Sequence, residues 1–589
     1  MILNQLKQSI HQVRKNLQLY IESVFFLRML RVVIAMPLLS YLFLQILKVT
    51  GLSSITENTI FEIFSNPVAI IVLLLLGLTS VFFIYYEQAY YFMLAHLQDT
   101  QEQYNLRTII KKLNRKTRYF IHIQSFVFFI YFLLILPIAS IGMSPGLANN
   151  LYIPHFITDE LMKFQGGWLL YFALLFLILY ISLRFIFVVP YFVIEEKATI
   201  FQAVKKSWFA TRKKSLVHLV YLLVIVGFYG LLLAVTTGVL LVPLMIVERI
   251  LLIAAPIVAG VTLSFLQIIV FFSYGFLQGI FAIVLYRLAY NKTAESPVMV
   301  RRTKGFFVLR WSKWFYAILA VAFISTVVGN TVSLTKILYQ PKTQIIAHRG
   351  YMAEGVENTI GSLKAAKSAN ADFVEMDVQQ TKDLEFVVIH DSNLGRLANR
   401  SDQVKDLTLA ELQKIQVSAG GFTDYIPSFE EYLTVAKDID MKLLVELKLH
   451  GSESADMEER FVEMLQKANV TEEYIVQSLD EATIARVKEL NPEIRTGYLV
   501  ALNIGNLPKT SADIVVIEEF SLNRRLIEQA RDKGKGIAVW TVNREELVRR
   551  AFGLNVDGII TNEPSRAYQI RDTFDQERTL AQRVKELLE

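Results

Sequence analysis

The feature that most constrains this chain is a set of apolar runs long enough to cross a bilayer, all lying before Pro341. A helix spans the hydrocarbon core with about 20 consecutive, mostly apolar residues. Runs of this kind fall at 25–47, 68–86, 119–143, 168–194, 216–247, 250–288 and 315–334, and none follows residue 341. Charge divides at the same place. Residues 1–340 hold 29 Lys and Arg against 12 Asp and Glu, a net of +17; residues 341–589 hold 31 against 42, a net of −11. The net charge of +6 for the whole chain describes neither part. Two domains are expected: a multi-pass helical membrane domain over 1–340, with about seven spans, and an acidic domain over 341–589. The 53% hydrophobic content excludes a disordered chain, and 27 Gly and 14 Pro in 589 residues exclude a collagen-like one.

The loops set the expected orientation. Lys and Arg collect in four stretches, at 1–24, 87–118, 195–215 and 289–313, whereas 48–67 and 144–167 are poor in them. By the positive-inside rule the four basic stretches are cytoplasmic. The N-terminus is then inside, 216–288 holds an even number of spans, and the last helix exits to the outside. The acidic domain is therefore expected to be extracytoplasmic, on a multi-pass protein of the cell membrane. The basic loops are accounted for by topology and the outer domain is acidic, so nucleic acid is not an expected partner; the lipid bilayer is. His122, Arg184 and His218 lie close to span ends, where interfacial placement accounts for them. The absence of cysteine excludes disulfides, Cys-ligated zinc and a thiol nucleophile.

After Pro341 the pattern changes to short β-rich runs separated by helical stretches. The runs are Gln344–His348, Phe373–Asp377, Glu385–His390, Lys442–Leu447, Tyr474–Ser478, Thr496–Val500, Asp513–Ile517, Gly536–Val542 and Gly558–Thr561. Such alternation argues for parallel βαβ units. Only Val378–Leu384 separates the second run from the third, too little for a parallel crossover, so that pair is read as a tight excursion. Eight βα units in about 235 residues match an α/β TIM barrel.

In such barrels the chemistry sits at the C-terminal strand ends. Those ends read His348-Arg349-Gly350, Glu375-Met376-Asp377, His390-Asp391, Glu446-Leu447-Lys448 and Trp540-Thr541-Val542-Asn543. Glu375 and Asp377, two apart on a strand, face the same side. Two carboxylates in one small space repel unless a cation lies between them. With Glu446 they offer three hard oxygen donors, a set suited to one divalent cation, Ca²⁺ or Mg²⁺. His348 and His390 can supply a general acid and a general base. Arg349 and Lys448 can offset the carboxylates or hold an anion, and together with the metal they point to a phosphate oxyanion. His450, in a polar loop, is read as an exposed bystander.

These residues resemble the glycerophosphodiester phosphodiesterase family. The pattern runs His-Arg-Gly, Glu357-Asn358-Thr359, Glu-x-Asp, His-Asp and Glu-x-Lys. Gln477-Ser478, Gly497-Tyr498-Leu499, the segment around Trp540 and Asp557-Gly558-Ile559-Ile560-Thr561-Asn562 follow it. Val189-Pro190 and the stretch from Glu195 to Ser207-Trp208 are similar to the membrane domain of some bacterial members. The resemblance implies a TIM barrel that hydrolyses glycerophosphodiesters to glycerol 3-phosphate and an alcohol with a divalent metal. It implies Glu375, Asp377 and Glu446 as metal ligands, His348 and His390 as the acid–base pair, and Arg349 and Lys448 on phosphate. Glu357 and Asn358 would support the site, and Trp540 would line the pocket. Val356 stands where the family usually carries proline. The expected substrate is a phosphodiester: a glycerophosphodiester, a lysolipid or a glycerol-phosphate polymer. Two alternatives are carried: a phospholipase D-like or lyase activity on lysolipids, and a lipid-handling or transport protein with a binding barrel. Water and an internal glycerol hydroxyl both remain open as nucleophile.

Overall fold

The computed structural model describes residues 2–100, 102, 104–121, 126–131, 158, 161–162, 166–292, 313–335, 342–574 and 579–588. Six of its helices are long and apolar enough to cross a membrane: Leu17–Thr50, Pro67–Asp99, Gly167–Ile194, Ser215–Ile250, Ala255–Ala289 and Ala317–Thr335. The stretch 216–288 is two helices, as the loop charges require. Most of the expected span 119–143, including His122, lies outside the described residues. Local chemistry sets the helix ends. Gly51, at φ 74°, closes the first helix in a left-handed cap. Asn66 opens the second by accepting from the Val68 and Ala69 amides, with Pro67 in its first turn. Leu74, Phe176, Leu231, Val239 and Ile324 project outward and exposed, a surface suited to lipid. Arg184 is buried over the Trp208 ring, 4.4 Å from its centroid, and His218 is buried against Phe187.

The described parts of the basic stretches gather at one end of this bundle. Lys116 donates to the Glu195 and Ala198 carbonyls at 2.7 and 2.9 Å, Gln12 donates to Gln98 at 2.7 Å, and Lys292 pairs with Asp99. The acidic domain lies at the other end, where it meets the 54–58 segment, Glu248 and Leu334.

That domain is a closed barrel of eight parallel strands: β1 (Gln344–His348), β2 (Phe373–Gln380), β3 (Lys442–Leu447), β4 (Ile475–Ser478), β5 (Arg495–Val500), β6 (Ile514–Glu518), β7 (Gly536–Trp540) and β8 (Gly558–Thr561). Closure comes from β8 on β1, from Gly558↔Gln344 to Thr561↔Ala347, and from β1 on β2, from Ile346↔Phe373 to His348↔Glu375. Side-chain alternation sorts the strands into two faces. Ile346, Phe373, Leu444, Ile475, Leu499, Ile514, Val516, Ala538 and Ile560 fill the interior, with Trp540 above them. Val374, Met376, Val378, Leu443 and Val445 face outward under the helices.

The run Glu385–His390 forms the tight excursion expected after the second run and is not one of the eight barrel strands. Only Phe386–Val388 is extended, and it pairs antiparallel to β2, from Val378↔Val388 to Gln380↔Phe386. β2 runs three residues beyond Asp377, turns, and descends again. His390 thereby returns to rim height, where the Ile389 amide donates to the Asp377 carbonyl at 3.0 Å.

Candidate active site

The site is built where β1, β2 and β3 end. Past His348 the chain turns sharply, with Arg349 at φ 57° and Gly350 at φ 83°. A Cβ on Gly350 would lie 2.5 Å from the Ser362 hydroxyl, so the turn needs glycine. The turn aims the Arg349 amide at Glu375, whose Oε2 accepts at 2.9 Å. The following loop folds back over β2. The Asn358 amide donates to the Arg349 carbonyl at 2.9 Å, its Nδ2 donates to Asp377 Oδ2 at 2.7 Å, and its Oδ1 accepts from the Asp377 amide at 3.1 Å. Thr359 Oγ1 donates to the Val356 carbonyl at 2.7 Å. These bonds brace the loop around Val356.

Glu375 and Asp377 both face inward, and the register Asp377↔Glu446 sets the third carboxylate beside them. Ligand oxygens of Glu375, Asp377 and Glu446 lie within 4.8 Å of one another, and all three residues are buried. Lys448 Nζ donates to Glu446 Oε1 at 2.7 Å and lies 3.3 Å from Asp377 Oδ1. Arg349 reaches Glu357 at 3.1 Å and Asp377 at 3.4 Å. Burial, then the Asp377 and Glu446 charges, push the Glu375 carboxyl well above the usual carboxylate range. Asp377 is as deeply buried, but Lys448, His390 and Arg349 outweigh that and hold it far below the range. The Glu375 carboxyl rises because the Asp377 and Glu446 charges crowd it; a hard divalent cation among the three oxygens would relieve that repulsion, and the donor set fits such an ion on these grounds.

Two imidazoles flank the carboxylates. His348 Nδ1 lies 2.7 Å from Asn562 Oδ1, which accepts, so Nδ1 carries the proton and Nε2 holds a lone pair. Burial, then the Arg349 charge, push His348 down to about 3, leaving it neutral at ordinary pH. His390 Nδ1 donates to Asp391 Oδ1 at 2.8 Å. Asp391 is fixed in turn by Arg396 Nε at 2.7 Å, and the same guanidinium grips both oxygens of Glu357 at 2.6 and 2.7 Å. Trp540 sits on the inward face of β7, against the barrel interior. His450 is exposed, at the mouth.

The structure thus joins Arg349, the expected residues of β2 and β3, the 357–358 loop and His390 in one network of hydrogen bonds and ion pairs, while His348 is held beside it by Asn562. Sequence reasoning missed the role of Asn562, and it missed Arg396 and Gln379 altogether. Asn562 could have been found, being in step with inward-facing Ile560. Arg396 stands in a four-residue helix, Gly395–Ala398, with no periodicity to mark it. A cavity of about 680 Å³ opens above Glu446 and Lys448, lined further by His450, Asp480, Glu481, Tyr498 and Lys509 and, from the membrane domain, by Asn58, Thr59 and Glu62.

Residues 6–330 match the membrane domain of glycerophosphoryl diester phosphodiesterase, and residues 348–566 match the glycerophosphoryl diester phosphodiesterase family. The chain belongs to this family. YhdW of Bacillus subtilis is 37% identical over 234 residues, covering 37% of this chain and 94% of YhdW. A glycerophosphodiester phosphodiesterase of Caldanaerobacter subterraneus is 32% identical over 237 residues, covering 38% of this chain and 95% of its own. The structure of an Oleispira antarctica phosphodiesterase in complex with the product sn-glycerol-3-phosphate is 23% identical with a TM-score of 0.35, covering 39% of this chain and 96% of that one. The chain is accordingly an enzyme that hydrolyses glycerophosphodiesters, carried on a helical membrane domain.

Proposed function

We propose that this protein hydrolyses glycerophosphodiesters to glycerol 3-phosphate and an alcohol with the help of one divalent cation, Mg²⁺ or Ca²⁺, at the outer face of the cell membrane. The observation that carries this reading is the cluster at one rim: three inward carboxylates, the buried Arg349, the half-buried Lys448 and two imidazoles whose Nδ1 atoms are already engaged. Glu375, Asp377 and Glu446 would hold the cation, which supplies charge stabilisation to the phosphoryl oxygens. Arg349 and Lys448 bind the phosphate and, fixed before substrate arrives, cost no reorganisation as charge builds in the transition state. His348, neutral, takes at Nε2 the proton of the attacking nucleophile, which is a water or the neighbouring glycerol hydroxyl; in the second case departure of the alkoxide leaves a cyclic phosphate, which a water then opens to glycerol 3-phosphate. His390, backed by the Asp391 carboxylate, gives a proton from Nε2 to the leaving alkoxide. Glu357 and Asn358 position Arg349 and Asp377, and Trp540 lines the pocket wall. The domain boundary is taken at Pro341.

The outer location is supported by the separation of the two ends of the bundle. The basic stretches lie at one end and the barrel at the other, the arrangement that the positive-inside rule requires.

The test uses the full chain in detergent with glycerophosphoglycerol, reading release of glycerol 3-phosphate. EDTA should abolish release, and Mg²⁺ or Ca²⁺ should restore it. His348→Ala should lower kcat by about 10²- to 10⁴-fold, the usual worth of a positioned acid or base. Undiminished turnover in His348→Ala would falsify the assignment. A cyclic phosphate that accumulates without opening would instead favour the lyase reading.

A further inference from the structure

The loop after the first membrane helix is not a plain connection. Ser54–Thr56 is extended and pairs antiparallel with Asn503–Gly505 of the barrel domain, in the register Ser54↔Gly505, Ile55↔Ile504 and Thr56↔Asn503. All three of its residues are buried. The next residue, Glu57, accepts from the Ala501 and Leu502 amides, each at 2.9 Å. Asn58 Nδ2 donates to the Leu479 carbonyl at 3.1 Å. Gly505 sits at φ 122°, and a Cβ there would come within 3.4 Å of both Leu47 and Ser54. The loops after β4 and β5 are therefore tied to the membrane domain by backbone pairing and by charge-assisted bonds.

These contacts place Asn58, Thr59 and Glu62 in the lining of the cavity that opens above Glu446 and Lys448. Besides Glu446 and Lys448, the cavity lining carries Glu62, Asp480 and Glu481 against Lys509. Asp480 is committed to the Thr483 amide and Glu481 to Ser511. Among the described residues, no hydrogen bond or ion pair is formed by the exposed Glu62 carboxylate. Next to it, Phe61 and Phe64 are exposed, which suits a position at the bilayer surface. The glycerol 3-phosphate arm is common to all substrates of the reaction, whereas the alcohol arm varies and needs the open side of the cavity.

We propose that the membrane domain completes the substrate pocket: Asn58, Thr59 and Glu62 form the wall that receives the alcohol arm, and Glu62 there selects an arm bearing a cationic amine. This rests on the phosphodiesterase reading above. It makes the membrane domain a determinant of specificity, not only an anchor, with the mouth of the barrel held against the membrane surface.

The test compares kcat/KM for glycerophosphoethanolamine and glycerophosphoglycerol on the full chain in nanodiscs. The alcohol arm of the first carries an ammonium group, whereas that of the second is an uncharged glycerol with two free hydroxyls. Glu62→Gln should lower the ethanolamine-to-glycerol ratio about three- to fivefold, the worth of an exposed ion pair, chiefly through KM. Glu62→Lys should lower it further. Thr59→Trp, which fills the wall, should raise KM for both substrates. A ratio unmoved in both Glu62 variants overturns the selection, and so does an equal fall for the two substrates. An unaltered KM in Thr59→Trp overturns the wall itself. If the parent protein hydrolyses neither diester, the phosphodiesterase reading fails instead.

Discussion

At the scale of single residues, the site is a set of charges that tolerate burial only because each is answered by another. Glu357 shows how much this is worth. Burial would raise its carboxyl, but hydrogen bonds from Arg396, and then the Arg349 charge, hold it at about 2. In the fold it stays ionised down to that pH, whereas unfolded it takes a proton near its ordinary value of 4.5. Its contribution to stability is complete above pH 4.5 and is lost as pH falls to 2. A displacement of this size corresponds to roughly 3 kcal/mol. Glu357→Gln should therefore lower the melting temperature at pH 7, yet flatten its decline between pH 5 and pH 3. Melting curves of the two proteins that stay parallel through that window would contradict the account.

At the scale of elements, the hairpin that carries His390 decides the geometry. Gln379 is buried on β2, and its Nε2 donates to the carbonyls of Ile389, His390 and Asp391 at 2.9, 2.8 and 3.1 Å. One amide thus fixes three consecutive backbone groups around the second imidazole. Gln379 is a positioning residue. Gln379→Ala should lower kcat for an alkyl diester about tenfold or more, because small misplacements of a catalytic group are costly. KM should shift little. A p-nitrophenyl diester, whose leaving group needs no proton, should lose much less. Equal losses on both substrates would show that Gln379 supports the fold rather than the acid. None of this was legible in the sequence, where the tight excursion after Asp377 was readable but its bonds were not. What could be read depended on alternation: Glu375, Asp377, Glu446 and His348 follow from strands whose inward and outward faces differ in polarity. Arg396 and Gln379 act through backbone and charge contacts that leave no periodic trace. Ser54–Thr56 is hidden for another reason, since a three-residue strand carries no period and its partner is more than 440 residues away.

At the scale of the whole molecule, the charge split that organises the sequence also gives a clean probe of orientation. The chain has no cysteine, so a single introduced thiol reports one place only. Ser401 is exposed on the barrel domain, and Lys205 is exposed in a basic stretch at the far end of the bundle. Holding a Lys- or Arg-rich loop on the cytoplasmic side is the main determinant of how a multi-pass chain inserts, and it acts through the residues flanking the spans. With the N-terminus inside, six described helices and the further expected span at 119–143 bring the chain after Thr335 to the outside. A membrane-impermeant maleimide added to intact cells should therefore modify Ser401→Cys and spare Lys205→Cys until the membrane is opened. The reverse pattern would turn the protein over, placing the barrel in the cytoplasm and its substrates among soluble diesters of the cell interior. The expected pattern instead leaves the enzyme reliant on phosphodiesters presented at the outer surface, where a pocket walled by the membrane domain has its use.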